Sequence, residues 1–497
     1  ALALLAAAMA HPHLWARRAH PAKPKVHPGR SAAPLYMAAA LAGLLTFGGK
    51  ALVIDNVDTP IKRARSVEDI ERRAQTMVRA DFGGAIRLLG FDMPRTSARS
   101  GQSVPIVLYW TLAAGMVGEN YSSNIVIRDA TGDIVWQALS FYPGGEPTTT
   151  WVPGFYVREP LMLTIPPGTP PGTYTVEAGI YSGSLGRNLD VTNAQGSPVG
   201  VLIELAELMV TRPRRPASTA ELGLENPRNA RLTPTFTLVS ASPPPAEAEV
   251  GQQLPVIWYW RAAARPEIDV RARLVWLNRA GKVVARSASV PLVTGYATSE
   301  WQRRDVWRGI HVLYVPGRLD AGDYEIGVQL YDEDGDPLGK HAIIGQMTVR
   351  TPPRSYFVPE MGIYAGVSWE NGIRLLGYDL PDTEVQPGDG LSVTFYWQTV
   401  DEITDNLTVF VHLVGTNGEI VTQRDQIPAS GARPTTGWAP REVVQDAYGL
   451  LIGEDVPPGD YRLRIGWYNA MTGERVAVTD GDTFWFVPYM ITVGEGL

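Results

Sequence analysis

GQSVPIVLYW at 101–110, GQQLPVIWYW at 251–260 and GDGLSVTFYW at 388–397 align without a gap. In the third string Leu391, Val393, Phe395 and Trp397 alternate with Ser392, Thr394 and Tyr396. That is the period-two pattern of a strand with one buried face. The face carrying the closing tryptophans Trp110, Trp260 and Trp397 is therefore the core face. From each of them 41 residues lead to a T-[TS]-x-W ending at Trp151, Trp301 and Trp438. A further 23 lead to a Gly-x-Tyr at Tyr174, Tyr324 and Tyr461, and seven more to Tyr181, Tyr331 and Tyr468. Four landmarks at fixed spacing define three copies of one domain.

Copies one and three also share an opening, IRLLGFDMP at 86–94 and IRLLGYDLP at 373–381, from which copy two has diverged. After Gly-x-Tyr, the residues Tyr461, Leu463, Ile465 and Trp467 alternate with Arg462, Arg464, Gly466 and Tyr468. Hairpin turns fall at Asn417-Gly418, Thr131-Gly132-Asp133 and Ala280-Gly281-Lys282. The tyrosine just after each Pro-Gly or Ala-Gly turn resembles a tyrosine corner. Seven or so short strands per copy predict a mostly β chain: three tandem immunoglobulin-like β-sandwiches at 80–211, 230–351 and 360–497, with linkers at 212–229 and 352–359.

Length and composition agree with this count. The chain has 497 residues, 45 % hydrophobic and 19 % charged, with 50 Gly and 40 Pro. It suits three or four folded, turn-rich domains. Cysteine is absent, which excludes disulfides, thiolate nucleophiles and Cys-based zinc sites.

Charge is divided unevenly. Residues 1–30 hold Arg17, Arg18, Lys23, Lys25 and Arg30 with no acid, and the other 39 basic residues face 51 acidic ones, leaving −12 beyond residue 30. An acidic body behind a basic head fits the positive-inside rule and argues against nucleic acid as partner. Residues 31–49, SAAPLYMAAALAGLLTFGG, carry no formal charge, and Ala51 to Ile54 extend the run past Lys50. A helix of that length spans a bilayer, so 31–54 is read as a transmembrane helix behind a partial apolar segment and basic cytoplasmic loop at 1–30. The pairs Ala38/Ala42 and Ala39/Gly43 place small residues four apart on one face, where another membrane helix packs closely. Residues 55–79 are read as a juxtamembrane connector and a helix of about three turns, opened by a capping box at Ser66 and Asp69. On this reading everything from about residue 55 onward lies outside the cytoplasm. Ala1–Ala10 reads either as a signal-peptide remnant or as the tail of an earlier transmembrane helix.

Candidate site residues are few. Trp151, Trp301 and Trp438 follow a loop rather than end an alternating strand. Packing explains them most simply, and sugar-ring stacking is the functional alternative, which makes glycans possible ligands. Asp332, Asp334 and Asp336 in YDEDGDPLG evoke a calcium loop but lack its closing Glu, so a hairpin turn is preferred. His11, His13, His20 and His27 sit in the basic loop. His311, His341 and His412 occur singly, and no triad forms around them. No metal site or cofactor is assigned.

With IRLLGYDLP, GDGLSVTFYW, T-[TS]-x-W and PPGDYRLRIGWYN all in view, the chain resembles the extracytoplasmic C-terminal repeats of bacterial membrane proteins related to dolichyl-phosphate-mannose-type glycosyltransferases. The resemblance implies a domain type rather than a reaction, because no residue here matches that family's catalytic groups. Two roles stay open: a structural, adhesive or docking component at the cell surface or in a membrane complex, or the accessory ectodomain of a polytopic glycosyltransferase.

Overall fold

The computed structural model describes residues 64–224 and 227–495. The predicted transmembrane segment at 31–54, with Ala38, Ala39, Ala42 and Gly43, lies outside them, as do residues 1–30. Among the described residues no helix is long and apolar enough to cross a membrane.

Three β domains repeat along the chain, each built from two sheets. In the third, one sheet orders the strands Ile363–Ser368, Ile373–Asp379, Gly390–Thr399 and Val443–Leu451. The other orders Glu384–Val385, Trp485–Val493, Gly459–Asn469, Leu407–Val414 and Ile420–Gln426. All pairings are antiparallel except Glu384–Val385 beside Trp485–Val493. The second domain repeats this order, from Ala230–Arg231 to Pro337–Arg350, and the first from Thr76–Phe82 to Ile203–Thr211. A small hairpin, Val191–Thr192 and Pro198–Gly200, extends the first domain's first sheet. Each domain thus has nine principal strands rather than the expected seven.

The alternation read from the sequence sets the core. Trp110, Trp260 and Trp397 are all 0 % exposed. In the third domain Leu391, Val393 and Phe395 from one sheet pack with Leu463, Ile465 and Trp467 from the other. The hairpins fall where expected, with Gly132, Gly281 and Gly418 at φ of 89°, 72° and 86°, a region open to glycine at little steric cost. Tyr174, Tyr324 and Tyr461 each donate their hydroxyl proton to the carbonyl four residues upstream, at 2.9, 3.0 and 2.7 Å.

The second strand bulges at the same place in every copy, after Leu88, Leu238 and Leu375. The extra residue, Leu89, Val239 or Leu376, packs with Tyr109 and Tyr156, Tyr259 and Val306, or Tyr396 and Val443. Each trio forms an apolar seat, separate from the main core, filled by the segment that precedes the domain. Ile70 fills the first, Leu222 the second and Met361 the third.

In the linker 212–229 Leu222 is docked in its seat, and the linker 352–359 leads to the docked Met361. One expectation is corrected here. The predicted three-turn helix is a six-residue 3-10 turn, Val67–Arg72, with the Ser66 side chain accepting from Glu68 N–H at 3.4 Å. It stops early because Thr76–Phe82 is taken as a strand against Ile86–Asp92, which also starts the first domain before residue 80.

Candidate functional site: inter-domain junctions and cation-bearing outer faces

Trp151, Trp301 and Trp438 are 3 %, 0 % and 0 % exposed, packed in the cores. A sugar needs an open ring face, so the proposed carbohydrate contact through these residues is corrected. Their motif is a structural clip. Thr148, Thr298 and Thr435 each open a short 3-10 turn and accept from the N–H of Tyr121, Val270 and Leu407 at 2.9, 2.9 and 3.0 Å. The same hydroxyls donate to the carbonyls of Glu119, Ile268 and Asp405 at 3.2, 3.0 and 2.6 Å. One buried Thr thus satisfies a donor and an acceptor of the chain entering an earlier strand, Tyr121–Arg128, Arg271–Leu277 or Leu407–Val414.

The Asp332–Asp336 stretch is a hairpin turn. Asp336 N–H donates to Asp332 Oδ1 at 2.8 Å, and Asp332 N–H donates to Asp336 O at 3.1 Å.

The junctions were not foreseen from sequence. Arg212 leaves the first domain and places its guanidinium against Asp305 and Tyr296, donating also to Glu300 O at 2.7 Å. It lies 5.6 Å from the Trp307 ring centroid. Arg308 donates its backbone N–H to Gly168 O at 2.7 Å and a guanidinium N–H to Val135 O at 3.1 Å, both in the first domain. At the second junction Arg354, nearly buried, bonds to Gly317 O and Leu319 O of the second domain and lies 3.7 Å from Glu442 of the third. Glu442 is fully buried and also pairs with Arg433. Thr436 Oγ1 donates to Gly251 O at 3.0 Å, and Arg318 pairs with Glu402 at 2.7 Å. A Cβ on Gly317 would stand 2.2 Å from Trp438 O, so the two backbones touch there.

Asp305 and Glu442 occupy equivalent positions, each directly before the seat residues Val306 and Val443. In the first domain that position is Phe155, 40 % exposed. The acid thus occurs in the two copies that receive an arginine from the connector before them.

The outer faces of the second sheets differ in chemistry. In the third domain Arg462 lies 3.8 Å over Phe486, Arg464 5.4 Å over Phe484 and Arg475 4.7 Å over Phe410. His412, buried beside Phe410, sits between Asp425 at 3.1 Å from Nε2 and Arg464 at 3.2 Å from Nδ1. Because arginine only donates, Nδ1 must accept, which places the imidazole proton on Nε2 toward Asp425. Burial lowers the His412 pKa, favouring this neutral form. In the second domain Arg273 lies 5.2 Å over Tyr331, Arg286 donates to the Tyr331 hydroxyl at 3.1 Å, and Arg271 binds Ser289 O at 2.6 Å. Tyr331 and Tyr468 are the fixed landmarks of the repeat. None of these six arginines pairs with a carboxylate among the described residues. On the first domain's equivalent face, Asn124 bonds Gln137 and Asn188 while Arg128 pairs with Glu177 at 2.7 Å.

No family model matches the chain, and no curated protein does. Among solved structures it is similar to the native conformation of E. coli alpha-2-macroglobulin at 9 % identity and a TM-score of 0.15, covering 83 % of this chain and 22 % of that one. It is also similar to Salmonella alpha-2-macroglobulin reacted with methylamine, at 11 % identity and 0.16, covering 85 % and 24 %. The chain spans about a quarter of the length of either. A likeness at these scores does not bear on function.

Proposed function

We propose that this chain is the rigid arm of a surface protein: three immunoglobulin-like sandwiches, joined without free hinges, that hold docking faces in fixed positions relative to one another. The observation that carries this reading is the pair of locked junctions. An arginine from each connector is held by Asp305 or Glu442 of the following domain, and each connector's apolar residue fills that domain's seat. Domains on flexible tethers would need neither device. The immunoglobulin-like assignment is supported by the strand order, in which the early strand splits between sheets and its second half runs parallel to the last strand.

Attachment to a membrane through 31–54, with the arm outside the cytoplasm, is supported by the uncharged length of that segment and the basic residues before it. Another membrane helix packed against Ala38, Ala39, Ala42 and Gly43 belongs to the same reading. Deleting residues 31–54 should release the chain from the membrane fraction, and a chain that stays membrane-bound would refute the anchor.

Rigidity is directly measurable. Since the chain has no cysteine, Ser184→Cys and Met471→Cys give two unique spin-label sites on the first and third sandwiches. A single narrow distance distribution is expected, broadened by Arg212→Ala and Arg354→Ala. A broad distribution in the unsubstituted arm would overturn the reading.

A further inference from the structure

Among the described residues, the outer faces of the second and third domains' second sheets each carry three arginines without a carboxylate partner: all three lie over aromatic rings in the third domain, while in the second Arg273 lies over Tyr331, Arg286 donates to its hydroxyl and Arg271 binds Ser289 O. We infer that these two faces bind an acidic polysaccharide, one bearing regularly spaced carboxylates. The inference holds whether or not the arm is anchored in a membrane.

The chemistry follows from the stacking. A guanidinium laid over a ring spends its flat face on the aromatic and keeps its in-plane N–H fork free. That fork matches the two oxygens of a carboxylate. Arg462 over Phe486 and Arg475 over Phe410 are exposed in this way. Arg464 is half-buried, anchored on His412 Nδ1, and its Nε meets no partner. Arg273 repeats the pattern, with a buried and unpartnered Nε beside Tyr331. Phe484 and Phe486, half-buried beside Arg464 and Arg462, offer some apolar surface to sugar C–H groups.

Recurrence on two domains points to a polymer that meets the same chemistry twice. Arg464 and Arg475 repel one another, which is unfavourable without a ligand, and the fold does not require arginines here, since the first domain forms the same face with Asn124 and a paired Arg128. Nucleic acid is disfavoured, because it needs a longer continuous basic footprint than three arginines on one face supply.

The test titrates the full chain with polygalacturonate, alongside neutral dextran, a single-stranded DNA oligomer and phosphatidylglycerol vesicles. Polygalacturonate should bind at about 50 mM salt and weaken steeply as salt rises, with dextran inert. Arg462→Gln/Arg464→Gln/Arg475→Gln should lose about tenfold or more in affinity, and Arg273→Gln/Arg286→Gln should lose a similar factor at the other face. Arg475→Gln alone, an exposed change that leaves the core intact, should lose a measurable part, and Arg475→Lys should recover only some of it because the fork is gone. The inference is overturned if polygalacturonate does not bind, if dextran binds as well, if Arg475→Gln and the triple variant bind unchanged with wild-type melting, or if DNA or vesicles bind more tightly than the polysaccharide.

Discussion

Trp110 donates its indole N–H to Glu159 Oε2 at 2.7 Å, both residues sealed inside the first domain. The third domain builds the same pair from Trp397 and Asp446 at 3.2 Å. In the second the acid is replaced by Gly309, and the vacated space holds Trp258, whose Nε1 donates to Leu292 O at 2.7 Å. One fold therefore meets one packing problem in two ways.

Burial pushes the Glu159 carboxyl above the usual carboxylate range, against hydrogen bonds from Ser123 and Trp110 that favour the ion. The native state holds its proton at pH values where the unfolded chain has released it, so stability falls as pH rises through that interval. Glu159→Gln keeps an acceptor for Trp110 and removes the titration. Denaturant melts from pH 4 to 8 should show the variant's stability declining less with pH than the parent's; parallel pH profiles would refute this.

His311 gives the opposite sign. Buried against Trp258 at 4.9 Å between ring centroids, it is pushed down to about 4. Between that value and its ordinary 6.5 the unfolded chain binds the extra proton, so stability should fall as the solution is acidified through this window. His311→Gln should flatten the acid limb, measured by chemical denaturation.

Gly309→Ala places a Cβ 2.1 Å from Leu292 O and 2.3 Å from Trp258 Nε1. Neither can retreat easily in a packed core, so a loss of about 1–3 kcal/mol is expected. Trp258→Leu combined with Gly309→Glu imports the first domain's solution. This double variant should be more stable than the sum of its single changes predicts, and strict additivity would count against it.

Thr435→Val removes the hydroxyl that serves Leu407 N–H and Asp405 O while keeping the volume. Stranding two buried backbone groups should cost about 2–4 kcal/mol. Thr435→Ser should recover most of that in the same melt.

Glu442→Ala leaves Arg354 and Arg433 without their buried anion, a loss of about 3–5 kcal/mol. Calorimetry should show the third domain melting earlier and apart from the other two.

The repeat was legible because core spacing is a sequence property. Trp397, Trp438, Tyr461 and Tyr468 keep their separations since each holds a fixed place in the strand order. Hairpins and tyrosine corners were equally legible, being local. The seats were not, because each is filled by a lone apolar residue, Ile70, Leu222 or Met361, in an irregular segment without periodicity. Asp305 and Glu442 resemble ordinary loop acids until the connectors are placed beside them. The six arginines lie on alternating strands, where solvated polar residues are the expectation, and only the rings under Arg273, Arg462, Arg464 and Arg475 set them apart. Trp151, Trp301 and Trp438 were ambiguous because a loop residue's direction has no period to reveal it.

The seats give the chain a direction of dependence. Every domain is completed by residues made before it, and none borrows its plug from downstream. Shortening the gene from its 3′ end should therefore leave the surviving domains whole. Trimming from the 5′ side at a strand boundary would strip the leading domain's cover and leave an oily patch where Leu222 or Met361 had been.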